Sequence, residues 1–119
     1  MNAEIKKLWT DALRSGEYSQ GRSGLCINKT YCCLGVLCDL HSKISGTAWS
    51  GEDKCKLYMN NSCLLPKQVV AWAELESATY SPVGIASYNV KIDSGQSLAS
   101  LNDFGVTFNE IADLIEKHL

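Results

Sequence analysis

The chain has 119 residues and a mass of 13.0 kDa, enough for one domain over residues 1–119 with a single core. Hydrophobic residues make up 45% of it and its net charge is −2, which excludes a disordered chain and argues against a surface built to bind long nucleic acid. It lacks both a signal-peptide core and the roughly 18 consecutive apolar residues of a membrane span. We therefore expect a cytoplasmic protein with no membrane partner.

Six cysteines in a cytoplasmic chain are expected to be reduced thiols that pack as small hydrophobic side chains. Their spacing does not favour zinc, because no Cys-x-x-Cys pair occurs. Cys38 and His41 lie one helical turn apart, but this spacing is more typical of core and surface neighbours than of a catalytic thiol and its base. We predict no metal, no cofactor and no catalytic residue. The residues weighed as metal ligands are Cys26, Cys32, Cys33, Cys38 and His41.

The first predicted helix runs from Ala3 to Ser15, with Asn2 as its N-cap and Gly16 at its C-terminal end. Its apolar residues recur every three or four positions and so share one face. After a polar loop, residues 25–33 predict a short hairpin whose turn is Asn28-Lys29.

The polar loop between these elements, Glu17 to Gly24, is the best ligand-binding candidate in the chain. Glycines let backbone amides approach an anion, arginines supply planar forks for phosphate or carboxylate, and a tyrosine can stack on a ring. The alternative is an ordinary connection between two elements. The candidate residues are Arg14, Tyr18, Gln20, Gly21, Arg22 and Gly24.

The core is expected around Thr30 to Leu40, the longest nearly uninterrupted apolar segment. Helical periodicity begins at Leu34 and runs to Ile44, and Gly46 is placed to end the helix. Gly35 inside this helix costs about 1 kcal/mol relative to alanine, so we predict that another element packs closely against it.

A second hairpin is predicted from Lys54–Met59 and Ser62–Leu65, joined by the turn residues Asn60-Asn61. Pro66 is then expected to start a helix over Lys67–Glu76.

The C-terminal part begins with Ser77–Ser87, which has the composition of a loop, and Tyr88–Ile92, which alternates as a strand. Asp93-Ser94-Gly95 is expected to turn the chain, and two helices follow over 97–103 and 108–118. All the elements together predict the α+β class: a single compact domain in which a small antiparallel sheet of hairpins packs against four or five helices.

The last two helices have the pattern of a helix-turn-helix motif, with a capping box at Thr107 and Glu110. The second helix carries three carboxylates, which would repel the DNA backbone, so we do not expect nucleic acid as a partner. Asn102 and Asp103, a polar pair at the end of the first helix, either cap the backbone or contact a ligand.

Segments at both ends of the chain resemble a family of small uncharacterised bacteriophage proteins. The segments are Trp9–Tyr18, Tyr31–Leu40, Leu101–Gly105 and Phe108–Glu116. The central stretches 45–61 and 78–94 are individual to this sequence. The resemblance carries no established activity over to individual residues.

This resemblance implies a phage or prophage accessory protein in the cytoplasm of a bacterial host, and such proteins often counter host defences. The leading hypothesis is a binding module that sequesters a small nucleotide-like signal, with loops at a homo-oligomer interface. The alternatives are an inhibitor that binds a host defence protein and an enzyme that cleaves a nucleotide signal. The polar loop favours sequestration because it combines arginines, an aromatic ring and glycine amides.

Overall fold

The computed structural model describes residues 1–76, 78–80, 87–93 and 96–119. These residues form five helices: α1 (Ala3–Arg14), α2 (Cys33–Ser45), α3 (Lys67–Ala73), α4 (Leu98–Asp103) and α5 (Phe108–His118). They also form eight short strands: β1 (Cys26–Ile27), β2 (Thr30–Tyr31), β3 (Ser50–Glu52), β4 (Cys55–Leu57), β5 (Leu65–Pro66), β6 (Ala78–Tyr80), β7 (Ser87–Asp93) and β8 (Gln96–Ser97). The predicted compact α+β domain is confirmed.

The strands form two antiparallel sheets rather than one. The first has the order β2-β1-β4-β3, and the second has the order β5-β7-β6 with β8 also paired to β7. In the first sheet Cys26 lies opposite both Tyr31 and Lys56. The hairpin predicted for β1 and β2 is confirmed, and its two turn residues, Asn28 and Lys29, have φ of 50° and 64°.

The second predicted hairpin is wrong in its pairing. Strand β4 pairs with β3 and β1, not with residues 62–65. A tight turn does occur at Met59-Asn60, closed by two 2.9 Å backbone hydrogen bonds between Tyr58 and Asn61. After this turn the chain leaves the first sheet and enters the second, where Leu65 is fully buried and pairs with β7.

Two further boundaries differ from the sequence expectation. Helix α3 ends at Ala73 because Glu74 adopts a left-handed φ of 54°. The stretch predicted as a loop contributes strand β6, which pairs with β7. The rest of that loop, Ser77 and 81–86, lies outside the described residues, as do Ser94 and Gly95 of the predicted turn.

The predicted helix caps are confirmed at both ends of the chain. Ile5 N donates to Asn2 Oδ1 at 3.0 Å at the start of α1. Glu110 N donates to Thr107 Oγ1 at 3.3 Å at the start of α5, which is the first half of the predicted capping box, while the Glu110 carboxylate accepts from the Thr107 hydroxyl at 2.9 Å instead of from a backbone amide. The bonds to Asn2 and Thr107 each satisfy an amide that has no partner within its own helix.

Helix α2 is the centre of the core, as its apolar run predicts. Residues Cys33 to Cys38 are all buried, and Trp9 of α1 donates its indole N–H to Cys33 O at 3.0 Å. A Cβ on Gly35 would overlap the carbonyl of Leu25, so the predicted close approach of another element is confirmed. The backbone just before β1 therefore lies directly on the helix.

All six cysteines are free thiols, but only four are buried: Cys26, Cys32, Cys33 and Cys38. The expectation of buried thiols is wrong for Cys55 and Cys63, which are exposed. Within the described residues, no helix is both long enough and apolar enough to cross a membrane.

Candidate functional site

The polar loop, Glu17 to Gly24, lies between strand β2 and the turn that joins α4 to α5. On one side Tyr31 N donates to Ser19 O and Gly21 N donates to Tyr31 O, each at 2.8 Å. On the other side the loop meets the end of α4. The two groups of candidate residues predicted separately from the sequence therefore share one region of the molecule.

Asn102 joins the loop, α2 and α4. Its side chain is fully buried, its Oδ1 accepts from Cys33 N at 3.2 Å and from Gln20 Nε2 at 3.0 Å, and its Nδ2 donates to Gly21 O at 2.8 Å. Of the two roles expected from the sequence, the structure gives Asn102 the one that bonds backbone. Its amide holds the loop in place rather than facing solvent.

Gln20 links the loop to the start of α5. Besides its bond to Asn102, Nε2 donates to Val106 O at 2.8 Å, and Oε1 accepts from Phe108 N at 3.0 Å. Gln20 thus satisfies an amide in the first turn of α5 from outside the helix.

Asp103 and Gly21 also have roles within the fold. Asp103 Oδ1 accepts from Ser23 N at 2.9 Å, while the residue itself stays exposed. A Cβ on Gly21 would overlap the Thr30 hydroxyl, so glycine is needed here for close packing. Because the Gly21 amide donates to Tyr31 O, it is not open to an anion.

Arg14 lies at the end of α1 and is paired with two carboxylates of α5. Its guanidinium donates to Asp113 Oδ1 and to Glu116 Oε1, each at 2.6 Å. The hydrogen bonds that Arg14 donates to Glu116 and Asp113 raise the pKa of Arg14, and the bond that Glu116 accepts from Arg14 lowers the pKa of Glu116. The arginine predicted to hold a ligand phosphate therefore already has two anionic partners.

Tyr18 forms part of a polar cluster around Asp39 of α2. The tyrosine hydroxyl donates to Asp39 Oδ2 at 2.6 Å, and Trp49 Nε1 donates to Asp39 Oδ1 at 3.1 Å. Lys43 Nζ donates to the Tyr18 hydroxyl at 3.1 Å and lies 5.3 Å from the ring centroid. Burial, followed by the bond to Asp39, raises the pKa of Tyr18, so the phenol stays neutral.

An aromatic row extends from this cluster into the core. Tyr18 meets Tyr31 edge-on with centroids 5.1 Å apart, and Tyr31 meets Trp49 at 6.1 Å. The row continues from Trp49 to Tyr58 at 4.9 Å and from Tyr58 to His41 at 5.7 Å. This row was not predictable from the sequence, because its members are far apart in the chain and do not recur at a recognisable spacing.

Arg22 differs from the other candidates because its guanidinium has no hydrogen-bond or ion-pair partner in the part of the chain that the structure describes. It lies beside Gly105, 3.1 Å from where a Cβ on that glycine would be. Next to Gly105 is Phe104, which is 88% exposed. Phe104 is a second feature that sequence analysis missed, because an apolar residue beside a helix is expected to be buried.

Two depressions flank the loop. The first, the loop–α5 groove, has a volume of about 300 Å³ and brings together Arg14, Tyr18 and Gln20 with Thr107, Phe108 and Asn109. The second, the α4 cavity, has a volume of about 250 Å³ and is lined by Ser23, Gly24, Cys32, Cys63, Leu64, Ala99 and Asp103. Arg22 is a lining residue of neither depression, and buried Asn102 lies beneath the loop.

Cys38 and His41, considered above as a catalytic thiol and its base, share no hydrogen bond that would activate the thiol. Burial raises the pKa of the Cys38 thiol well above its ordinary value. The His41 Nδ1 instead lies 2.5 Å from the Tyr58 hydroxyl. In the described residues, no three His, Cys, Asp or Glu side chains are grouped so that they would hold a metal ion.

Comparisons with curated proteins and with solved structures return no match. The chain matches a protein family over all of residues 1–119. The description of this family is a domain of unknown function, so it assigns no activity to the loop, the groove or the cavity. The chain belongs to this family, DUF8296.

Proposed function

We propose that the protein is a phage or prophage accessory protein that counters host defence as a binding module, by sequestering a small nucleotide-like signal in the loop–α5 groove. The observation that carries the proposal is that Arg14, Tyr18 and Gln20 line one depression with the first turn of α5. These are three of the residues whose chemistry suits a ligand with a ring and a phosphate. The phage setting rests on the sequence segments that resemble phage proteins.

The size of the groove limits the ligand. Small-molecule sites have volumes of about 300–1,000 Å³, and a groove of about 300 Å³ lies at the lower end of that range. A ligand the size of one nucleotide suits it better than a long oligonucleotide. This limit agrees with the net charge of −2, which argues against long nucleic acid.

The lining of the groove combines two chemistries. Tyr18 supplies an aromatic ring on which a base could stack. Thr107 and Asn109 lie at the start of α5, an eleven-residue helix whose dipole is positive there. We therefore expect a bound nucleotide to contact Tyr18 with its base and the start of α5 with its phosphate.

The carboxylates on Arg14 restrict how much negative charge the ligand can carry. A phosphate that approaches the guanidinium competes with Asp113 and Glu116, which already occupy it. Like charges near one another are unfavourable, so a triphosphate should bind worse than a monophosphate or a cyclic phosphodiester. The proposed ligand class is therefore a nucleotide of low charge.

Thermal shift and calorimetric titration with nucleoside monophosphates, cyclic mononucleotides, ADP-ribose and nucleoside triphosphates test the proposal. We expect a low-charge nucleotide to raise the melting temperature. Arg14→Ala should remove the shift, and Glu116→Gln should enlarge it by removing one of the two negative charges beside the guanidinium. Lys7→Ala is the matched control, since Lys7 is also ion-paired on α1, to Asp11, but lies outside the groove.

Chromatography of the nucleotide recovered after incubation separates sequestration from catalysis. Intact nucleotide supports sequestration, whereas a cleaved product contradicts it and supports the enzyme alternative. The absence of a shift across the whole panel, or an equal shift in Arg14→Ala and the wild type, would overturn the proposed site.

A further inference from the structure

Phe104 is an exposed aromatic knob on a rigid turn. The turn is closed by backbone bonds from Phe104 N to Ser100 O at 3.0 Å, from Gly105 N to Asn102 O at 3.1 Å and from Val106 N to Leu101 O at 3.0 Å. Its conformation therefore does not depend on the phenyl ring, which is 88% exposed. A single exposed apolar residue is ordinary, so the surroundings of Phe104 decide whether it has a role.

The α4 cavity lies directly beside this knob and is not filled by it. Asp103, the residue before Phe104, lines the cavity, but Phe104 does not. The residues that line it include the apolar Leu64 and Ala99 and the exposed cysteine Cys63. A dry cavity of about 150 Å³ takes a benzene ring, so about 250 Å³ is enough for a phenyl group.

Two residues of opposite charge, Arg22 and Asp103, lie on the same patch as Phe104 and the α4 cavity. Arg22 lies beside Gly105 and has no ion-pair partner in the described part of the chain. The Asp103 carboxylate lies at the cavity, with Oδ1 bonded to Ser23 N, and the residue remains exposed. Arginine and aromatic residues, phenylalanine included, are enriched in protein interfaces relative to the rest of the protein surface.

We infer that this patch is the interface of a twofold homodimer, in which Phe104 of each copy enters the α4 cavity of the other and Arg22 of each copy faces Asp103 of the other. A twofold interface uses the same patch on both copies, so the patch must complement itself. The patch meets that requirement because it carries both a ring and a cavity that can take it, and both a cation and an anion. The inference does not depend on the proposed function, because Phe104 and the cavity residues lie outside the loop–α5 groove.

Sedimentation equilibrium and native mass spectrometry of the full chain test the dimer. We expect the wild type to form a species of twice 13.0 kDa and Phe104→Ala to raise the dimer dissociation constant at least about tenfold, as loss of a dominant interface residue does. Ile44→Ala is the matched control, because Ile44 is 60% exposed on a different helix and should leave dimerisation unchanged. A wild type that stays monomeric, or a dimer insensitive to Phe104→Ala, overturns the inference, and the first result leaves the patch to a different protein.

Two further experiments, a charge exchange and a disulfide cross-link, test which residues of the two copies meet. Arg22→Glu should weaken the dimer by placing like charges together, and Asp103→Lys added to it should restore the dimer by exchanging the two signs.

Phe104→Cys should form a disulfide with Cys63 of the other copy under mild oxidation, giving a covalent dimer on a non-reducing gel. The same variant with Cys63→Ser is the control and should remain monomeric on that gel; a covalent dimer that persists there contradicts the predicted contact.

Discussion

The side-chain amide of Gln20 donates a 3.0 Å hydrogen bond to Asn102 Oδ1 across 82 positions of sequence. The bond fixes the polar loop onto the end of α4. Since Gln20 also accepts from Phe108 N, the loop and the start of α5 are held by the same side chain. The conformation of the candidate groove therefore depends on a residue, Asn102, that does not line it.

Asn102→Ala is expected to destabilise the protein by about 3 kcal/mol. The substitution leaves the Cys33 amide and the Gly21 carbonyl without their partner, and an unsatisfied buried polar group costs about 1–3 kcal/mol. The free energy of unfolding from urea titration measures the loss. Asn109→Ala, at an exposed position of α5, should change it by less than about 0.5 kcal/mol; equal effects of the two substitutions would contradict the role given to Asn102.

The helices are predictable from the sequence because their signals are local. Asn2 caps an amide three residues away, and Thr107 does the same at the other end of the chain. The strand pairing of β4 and β5 was not predictable, because a turn dipeptide indicates that the chain bends but not which distant strand each arm meets. Burial of Leu65 in the second sheet decides that pairing, and it depends on β7, more than twenty residues later.

The sequence identifies the candidate residues as polar and suited to a ligand. It does not show whether their side chains are free to bind one or are already bonded within the fold. Arg14 meets its carboxylates only because α1 packs on α5. Gln20 and Asn102 satisfy one another only because the loop folds onto α4. The unpaired state of Arg22 depends in the same way on tertiary structure, so sequence could place it in the loop but not distinguish it from Arg14.

Gly35→Ala and Gly16→Ala should differ although both replace glycine with alanine. At Gly35 the added methyl group overlaps the Leu25 carbonyl, and we expect a loss of about 3 kcal/mol despite the better helix propensity of alanine. At Gly16 nothing lies within 4 Å, so only the strain of a φ of 79° remains, about 1 kcal/mol. Urea denaturation of both variants compares them; a cost at Gly35 no larger than at Gly16 would show that the backbone at Leu25 moves away from α2 easily.

Two of the six thiols should react quickly with a disulfide reagent such as DTNB in dilute native protein. Cys55 and Cys63 are exposed, whereas burial raises the pKa of Cys32 to about 11 and the pKa of Cys33 well above its usual range. A thiol reacts as its thiolate, so the buried thiols should react only on unfolding. Absorbance counts the fast thiols, and the double variant Cys55→Ser with Cys63→Ser should show none. Three or more fast thiols in the wild type would contradict the burial of the other four cysteines.

His41 should make the protein less stable as the pH falls from 7.5 to 5.5. The imidazole is surrounded by the Tyr58 hydroxyl at 2.5 Å, the Ser45 hydroxyl at 3.4 Å and the Trp72 ring at 5.0 Å, and burial lowers its pKa below the ordinary 6.5. The unfolded chain then binds a proton that the folded chain does not, so stability is complete above the unfolded pKa and is lost as the pH falls through and below it.

The slope of unfolding free energy against pH, from urea titrations in this range, measures the effect. His41→Gln should reduce the slope, while His118→Gln, at an exposed position of the last helix, should leave it unchanged. Glu116 does not interfere, because its pKa is lowered from 4.5 and it titrates below the window. An unchanged slope in His41→Gln would mean that a group other than His41 takes up the proton on unfolding. Burial of His41 would then not be the cause of the lower stability in mild acid.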